Sequence, residues 1–124
     1  MKIAFIGGGN MGEAMLSAIL DKEVAAPWEI SVSDPSEDRR KYLGRKFEVS
    51  ATADNKVAAK DADVVVFSVK PQQSGEILAD LKGKLKSSQL VLSIMTGITL
   101  STLHNGLGYD RIVRVMPNTP AQIG

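Results

Sequence analysis

The chain has no cysteine and a single histidine, His104. The first absence excludes disulfides and thiolate chemistry, and the second leaves no histidine cluster to hold a metal. Aromatic residues make up only 5% of the sequence and form no ladder for bases to stack on. Neither sign of charge dominates: 15 Lys and Arg stand against 14 Asp and Glu, for a net charge of +1. With no basic stripe, nucleic acid is disfavoured as a partner. No apolar run is long enough to span a bilayer, so the expectation is a cytoplasmic protein with no membrane partner. The apolar amino-terminal stretch does not read as a signal peptide, because Asn10 and Glu13 interrupt it. What is present is an apolar fraction of 44% over 124 residues, which argues against disorder. A chain of this length makes one domain and buries roughly two thirds of its unfolded surface.

The chain is organised around residues 2–12, Lys-Ile-Ala-Phe-Ile-Gly-Gly-Gly-Asn-Met-Gly. A short apolar run, 3–6, breaks into glycine and resumes with helical spacing at Met11, Ala14, Met15, Ala18 and Ile19. This is a strand, a turn and a helix, with Asn10 expected as the helix N-cap. Gly7, Gly9 and Gly12 fill the pattern G-x-G-x-x-G, and each answers a steric demand of a bound dinucleotide. Gly7 permits the tight turn, Gly9 has no Cβ to keep a pyrophosphate off the backbone, and Gly12 lets helix and strand approach closely. The helix opens with unpaired N–H groups and a partial positive charge, worth roughly 0.3–2 kcal/mol to an anion placed there. Three glycines alone also make an ordinary tight loop, so the strand before and the helix after carry the assignment.

Further strands are expected at 29–33, 47–51, 63–69, 90–95 and 111–116, with helices over 36–46 and 54–60. Another follows Pro71 and carries Ile77, Leu78, Leu81 and Leu85 on one face; a short one carries Leu100, Leu103 and Leu107. Residues 63–69, Asp-Val-Val-Val-Phe-Ser-Val, are a β-branched run of the kind buried on both faces of a parallel sheet. Six strands alternating with helices define an α/β domain with a doubly wound, parallel six-stranded sheet, the Rossmann fold. In such a sheet the ligand lies at the carboxyl ends of the strands. That directs attention to 7–12, 34–36, Asn55, 68–71, 96–98 and 116–118.

Asp34 follows Gly12 by 22 residues, at the end of the second strand, where a carboxylate hydrogen-bonds ribose hydroxyls; Asp-Pro-Ser is equally a turn or helix cap. Arg39 and Arg40 complicate the cofactor, since a guanidinium there suits a 2′-phosphate while an aspartate repels it. The alternative for the arginines is a solvated helix face paired with Glu37 and Asp38. Lys70 sits at the end of the fourth strand, but surface lysines far outnumber catalytic ones. His104 reads as a surface residue, and Met11, Met95 and Met116 as core or pocket lining. No acid–base pair stands out, so the catalytic residues stay unassigned.

Ile6-Gly7-Gly8-Gly9-Asn10-Met11-Gly12-Glu13-Ala14-Met15, Asp54-Asn55-Lys56, Val69-Lys70-Pro71-Gln72, Ser93-Ile94-Met95-Thr96-Gly97-Ile98 and Arg114-Val115-Met116-Pro117-Asn118-Thr119-Pro120 together resemble the amino-terminal domain of pyrroline-5-carboxylate reductases. The resemblance runs through the whole chain in order; Val-Lys-Pro-Gln followed by Met-Pro-Asn-Thr-Pro is its most specific part. The alternatives are the cofactor domain of a β-hydroxyacid or prephenate-type dehydrogenase, which shares the glycine turn but is expected to lack that pair, and a non-catalytic NAD(P)-sensing module. The resemblance implies hydride transfer from a reduced nicotinamide to the C=N bond of 1-pyrroline-5-carboxylate, giving L-proline. It also implies cofactor contacts from Gly7, Gly9, Asn10, Met11 and Gly12 at the pyrophosphate and from Asn55 at the adenosine ribose. Ser68, Val69, Lys70 and Pro71 would line the nicotinamide ribose, with Thr96, Gly97 and Asn118 near the ring. The family commonly uses NADP(H), whereas Asp34 leaves NAD(H) open. Its members continue into a helical carboxyl-terminal domain that forms the homo-oligomer and most substrate contacts. The expectation is therefore a cofactor domain, 1–124, with that second domain absent.

Overall fold

The structure is a computed structural model and describes residues 1–115. Its elements are β1 Ile3–Ile6, α1 Asn10–Asp21, β2 Ile30–Ser33, α2 Glu37–Phe47, β3 Ser50–Thr52, α3 Asn55–Ala59, β4 Val64–Phe67, α4 Ser74–Leu81, β5 Leu90–Ser93, α5 Leu100–Leu107 and β6 Ile112–Arg114. Single 3-10 turns at Pro27–Glu29 and Pro71–Gln73 precede β2 and α4. All six strands are parallel, in the order β3-β2-β1-β4-β5-β6. The expected doubly wound sheet is thus observed, and its direction of growth reverses between β1 and β4. Ile6 lies in register with Ser33 on one side and Phe67 on the other, so the chain leaving β1 emerges into that crevice.

Each face of the sheet carries its own core. Ala4, Ile6, Val65, Phe67 and Val91 pack with Ala58 and Ala59 of α3, Ile77, Leu78 and Leu81 of α4, and Leu103 and Leu107 of α5. Ile3, Phe5, Val32, Val66 and Ile94 pack with Leu16 of α1 and Leu43 of α2. Alternate residues of β1 and β4 therefore serve opposite cores, which is why these strands read as unbroken apolar runs. Phe5 and Phe67 are fully buried, and burying a side chain of this kind is worth roughly 1.5–3 kcal/mol.

Local chemistry sets the helix ends. Ser36 accepts the Arg39 N–H at 3.2 Å, as a good N-cap does, and Glu37, Asp38, Arg45 and Lys46 complement the dipole of α2. Asp54 caps α3 through the Lys56 N–H at 2.9 Å. Thr99 caps α5, and Gly108, at φ 62°, ends it.

Several expected boundaries move. The N-cap of α1 is Gly9, which has no side chain to cap with, and Asn10 is the first helical residue, because the first helical bond is taken by the Gly9 carbonyl from the Glu13 N–H at 2.9 Å. Residues 47–51 were expected as the third strand, yet Phe47 closes α2, Glu48 turns left-handed at φ 60°, and β3 is Ser50–Thr52. Phe47 packs against the second core from the helix, and that burial outweighs its strand propensity. Leu85 packs on the first core from beyond the end of α4. Strands β4, β5 and β6 are shorter than the apolar runs that signal them, since Ser68, Val69, Ile94 and Met95 belong to the turns that follow. Met116, Pro117 and Asn118 lie outside the described residues.

A concavity of about 470 Å³ opens at the amino-terminal edge of the sheet. Several of its polar groups pair with one another: the Met1 ammonium with Glu29 at 2.7 Å, the Lys2 N–H with Asp63 at 2.8 Å, and Lys86 with Asp61 at 3.7 Å. The glycine turn after β1 lies at the opposite edge.

Candidate functional site

The turn after β1 is built by close approach. Gly7 has φ 106°, a conformation L side chains rarely adopt, and a Cβ on it would lie 2.7 Å from Val69 Cγ1 and 2.8 Å from the Val69 nitrogen. Its N–H donates to the Ser33 carbonyl at 2.8 Å, and its carbonyl accepts from Ser68 Oγ at 2.7 Å. The loop after β4 is thus locked against the loop after β1. Gly12 completes the contact, because a Cβ there would stand 2.6 Å from the Gly7 oxygen.

Gly9 is the opposite case. Nothing lies within 4 Å of where its Cβ would be, and its backbone is ordinary, at φ −76° and ψ −168°. The first helical bond of α1 runs from the Glu13 N–H to the Gly9 carbonyl at 2.9 Å. The N–H groups of Asn10, Met11 and Gly12 precede it and have no intrahelical acceptor. An open cradle beside three donors and a helix N-terminus fits a pyrophosphate.

At the end of β2 the Asp34 carboxylate accepts the Gly8 N–H through Oδ2 and the Ser36 N–H through Oδ1, each at 2.9 Å. It therefore acts as the turn-forming residue of Asp-Pro-Ser. Each carboxylate oxygen keeps a lone pair for a ribose hydroxyl. Asn55 is half-buried and receives the Ser33 hydroxyl on Oδ1 at 2.6 Å. Ser68 is buried beneath the glycine turn, so its hydroxyl braces the loop. Val69, Lys70 and Pro71 lie above it, with Lys70 exposed. Thr96 and Gly97 are exposed in the turn after β5, Gly97 at φ 79°. The sheet thus brings 7–12, Asp34, Asn55, 68–71 and 96–97 to one edge.

The arginines do not pair with Glu37 and Asp38 as a solvated helix face would. Arg39 Nε donates to the Gly8 carbonyl, and its NH2 meets Glu13 Oε1 at 2.5 Å. Arg40 donates to the Asp34 carbonyl at 2.9 Å, while Glu37 pairs with Lys41. Glu13 Oε2 also receives Tyr42 Oη at 2.9 Å and Lys46 Nζ at 3.0 Å, and the Arg39 guanidinium lies over the Tyr42 ring at 4.9 Å. Burial alone would push the Glu13 carboxyl up, but the hydrogen bonds from Lys46, Tyr42 and Arg39 outweigh it and hold its pKa below the ordinary 4.5. A depressed carboxylate pKa contributes stability above the unfolded value that is lost as pH falls through the folded one. Glu13→Gln should therefore flatten the acid limb of stability below about pH 4.5, measured by thermal unfolding across pH; a limb as steep as the parent's would contradict the network.

Sequence reasoning missed this hub and missed Gly8, whose Cβ would meet Leu43 Cδ1 at 2.6 Å. Arg39, Tyr42 and Lys46 do share a helix face by spacing, but nothing local points that face at Glu13.

A parallel doubly wound sheet with a glycine turn at its switch point defines a nucleotide-binding domain of the Rossmann class. Residues 2–97 match the family described as NADP oxidoreductase coenzyme F420-dependent, and the chain belongs to that family. It is similar over its length to pyrroline-5-carboxylate reductases, as its motifs suggest. It is 39% identical over 124 residues to the reductase of Synechocystis, covering 100% of this chain and 46% of that protein. The solved reductase of Coxiella burnetii superposes with a TM-score of 0.89 at 38% identity, covering 98% of this chain and 46% of the other. That of Plasmodium falciparum, solved with NADP bound, does so with a TM-score of 0.82 at 30% identity, covering 99% and 44%. The chain spans about half the length of the curated relatives it matches. Among the described residues no helix is long and apolar enough to cross a membrane.

Proposed function

We propose that this chain is the dinucleotide-binding part of a pyrroline-5-carboxylate reductase, taking NADPH or NADH along the carboxyl-terminal edge of its sheet. The observation that carries the reading is whole-length similarity to these reductases, 39% identity with that of Synechocystis. It is supported by the open cradle at Gly9. When bound, the reduced nicotinamide supplies a hydride for the imine carbon of 1-pyrroline-5-carboxylate, while the imine nitrogen takes a proton, giving L-proline. The chain's own residues bind and orient. Asn10, Met11 and Gly12 offer N–H groups to the pyrophosphate, Asp34 and Asn55 serve the adenosine ribose, and Val69, Lys70, Pro71, Thr96 and Gly97 line the nicotinamide end. Gly7 and Ser68 hold the two loops together beneath it. We assign most substrate contacts, the proton donor and the homo-oligomer interface to the part of the family's length that this chain does not span, and the setting to the cytoplasm.

Fluorescence titration with NADPH and with NADH, followed by an assay of 1-pyrroline-5-carboxylate reduction by the same chain, tests both halves. Binding with little turnover is expected. Failure to bind either cofactor would overturn the dinucleotide reading, and brisk turnover would overturn the division of labour.

A further inference from the structure

We propose that Glu13 is a positioning residue that sets the discrimination between NADPH and NADH, acting through Arg39; the inference rests on the dinucleotide reading above. The geometry centres on Gly8. Its N–H is taken by Asp34 and its carbonyl by Arg39, so the carboxylate suited to ribose hydroxyls and the guanidinium suited to a 2′-phosphate grip the two ends of one residue. A cofactor that places its adenosine ribose beside Asp34 brings the 2′ position into the neighbourhood of Arg39.

Arg39 is not a free cation. It is three-quarters buried along its side chain and is ion-paired with Glu13, itself 18% exposed. The bonds to Gly8 and Glu13 use two of the five guanidinium donors, which leaves a face of the fork for phosphate oxygens. Glu13 thus does two opposed things. It orients the guanidinium over the glycine turn, and it cancels much of the charge that would attract a 2′-phosphate. Asp34 adds a second negative charge, and Lys46 offsets part of Glu13 from the other side at 3.0 Å. Near balance at the adenosine end leaves the protein able to take either cofactor. Removing one charge of the pair tips it.

The test is a double-mutant cycle read by cofactor affinity. Glu13→Gln keeps an acceptor oxygen for Arg39 and removes the charge. It should tighten NADPH about threefold to tenfold, the scale of a partly screened ion pair, and leave NADH within about twofold. Arg39→Ala should weaken NADPH about tenfold and NADH little, and Glu13→Gln in that background should no longer change the ratio. Arg39→Lys, which keeps the charge but cannot form the fork, should retain part of the preference. A merely structural role for Glu13 would move both affinities together, and that outcome overturns the inference. So does an unchanged ratio in Glu13→Gln, or a change that persists without Arg39. A parent chain that binds neither cofactor overturns the dinucleotide reading and this inference with it. A parent that binds both, with a ratio indifferent to Glu13, overturns only the latter.

Discussion

Gly9→Val is expected to leave the fold standing and weaken dinucleotide binding strongly. The backbone at Gly9 lies in the extended region, where valine is comfortable, and nothing lies within 4 Å of its Cβ position. No side-chain cap bond exists to be lost there. Valine is a poorer N-cap than glycine, while replacing glycine restricts the unfolded chain; the two effects oppose each other within about 1 kcal/mol. The melting temperature should therefore stay within about 4 °C of the parent's. In the proposed dinucleotide reading the same empty space is where the pyrophosphate approaches three helix N–H groups, and a branched side chain fills it. Affinity for NADPH and NADH should fall on the order of 100-fold, since the lost contacts are charge-assisted. Fluorescence titration beside a thermal melt checks both, and a Gly9→Val chain that binds normally would remove the cradle from the site.

Gly7→Ala is expected to do the reverse, damaging the fold before binding can be asked about. The residue sits at φ 106°, and its new Cβ would fall 2.7 Å from Val69 Cγ1, 2.8 Å from the Val69 nitrogen and 2.9 Å from the Ser68 carbonyl carbon. Two of these are backbone atoms of the loop after β4, held by the Ser68 hydroxyl on the Gly7 carbonyl, so the neighbour cannot simply rotate away. Backbone strain of roughly 1–3 kcal/mol adds to overpacking of roughly 1–3 kcal/mol. A loss of about 3 kcal/mol or more is a large part of the 5–15 kcal/mol that holds an ordinary domain folded. Denaturant unfolding measures it, and a loss below about 1 kcal/mol would contradict the geometry. The two substitutions lie two residues apart in one motif and are expected to separate its functions: one glycine serves the fold, the other the proposed ligand.

Much of this is legible in the sequence alone. The unbroken apolar character of β1 and β4 follows from burial on both faces, and Ser36, a short polar residue ahead of an acidic helical turn, caps α2. The roles of Gly7 and Gly12 in the turn could be read as well, because both follow from the absence of a Cβ. Errors fall where local preference competes with packing. Phe47 looks like a strand residue but is drawn into α2 by the core beside Leu43, and Asn10 looks like a cap but stands inside the helix that Gly9 opens.

The sequence by itself determined the alternation of strands and helices, the doubly wound sheet, the glycine turn at its centre and the resemblance that led to a cofactor. These rest on periodicity and stereochemistry, which act over a few neighbouring residues. Only the tertiary structure decided that Arg39 meets Glu13, that Gly8 lies between Asp34 and Arg39, and that Ser68 braces Gly7 from beneath. Those contacts join residues 26, 26, 31 and 61 positions apart. They exist because right-handed crossovers and a parallel register bring distant strand ends and helix starts to one edge, and no local pattern encodes which side chains will face each other there.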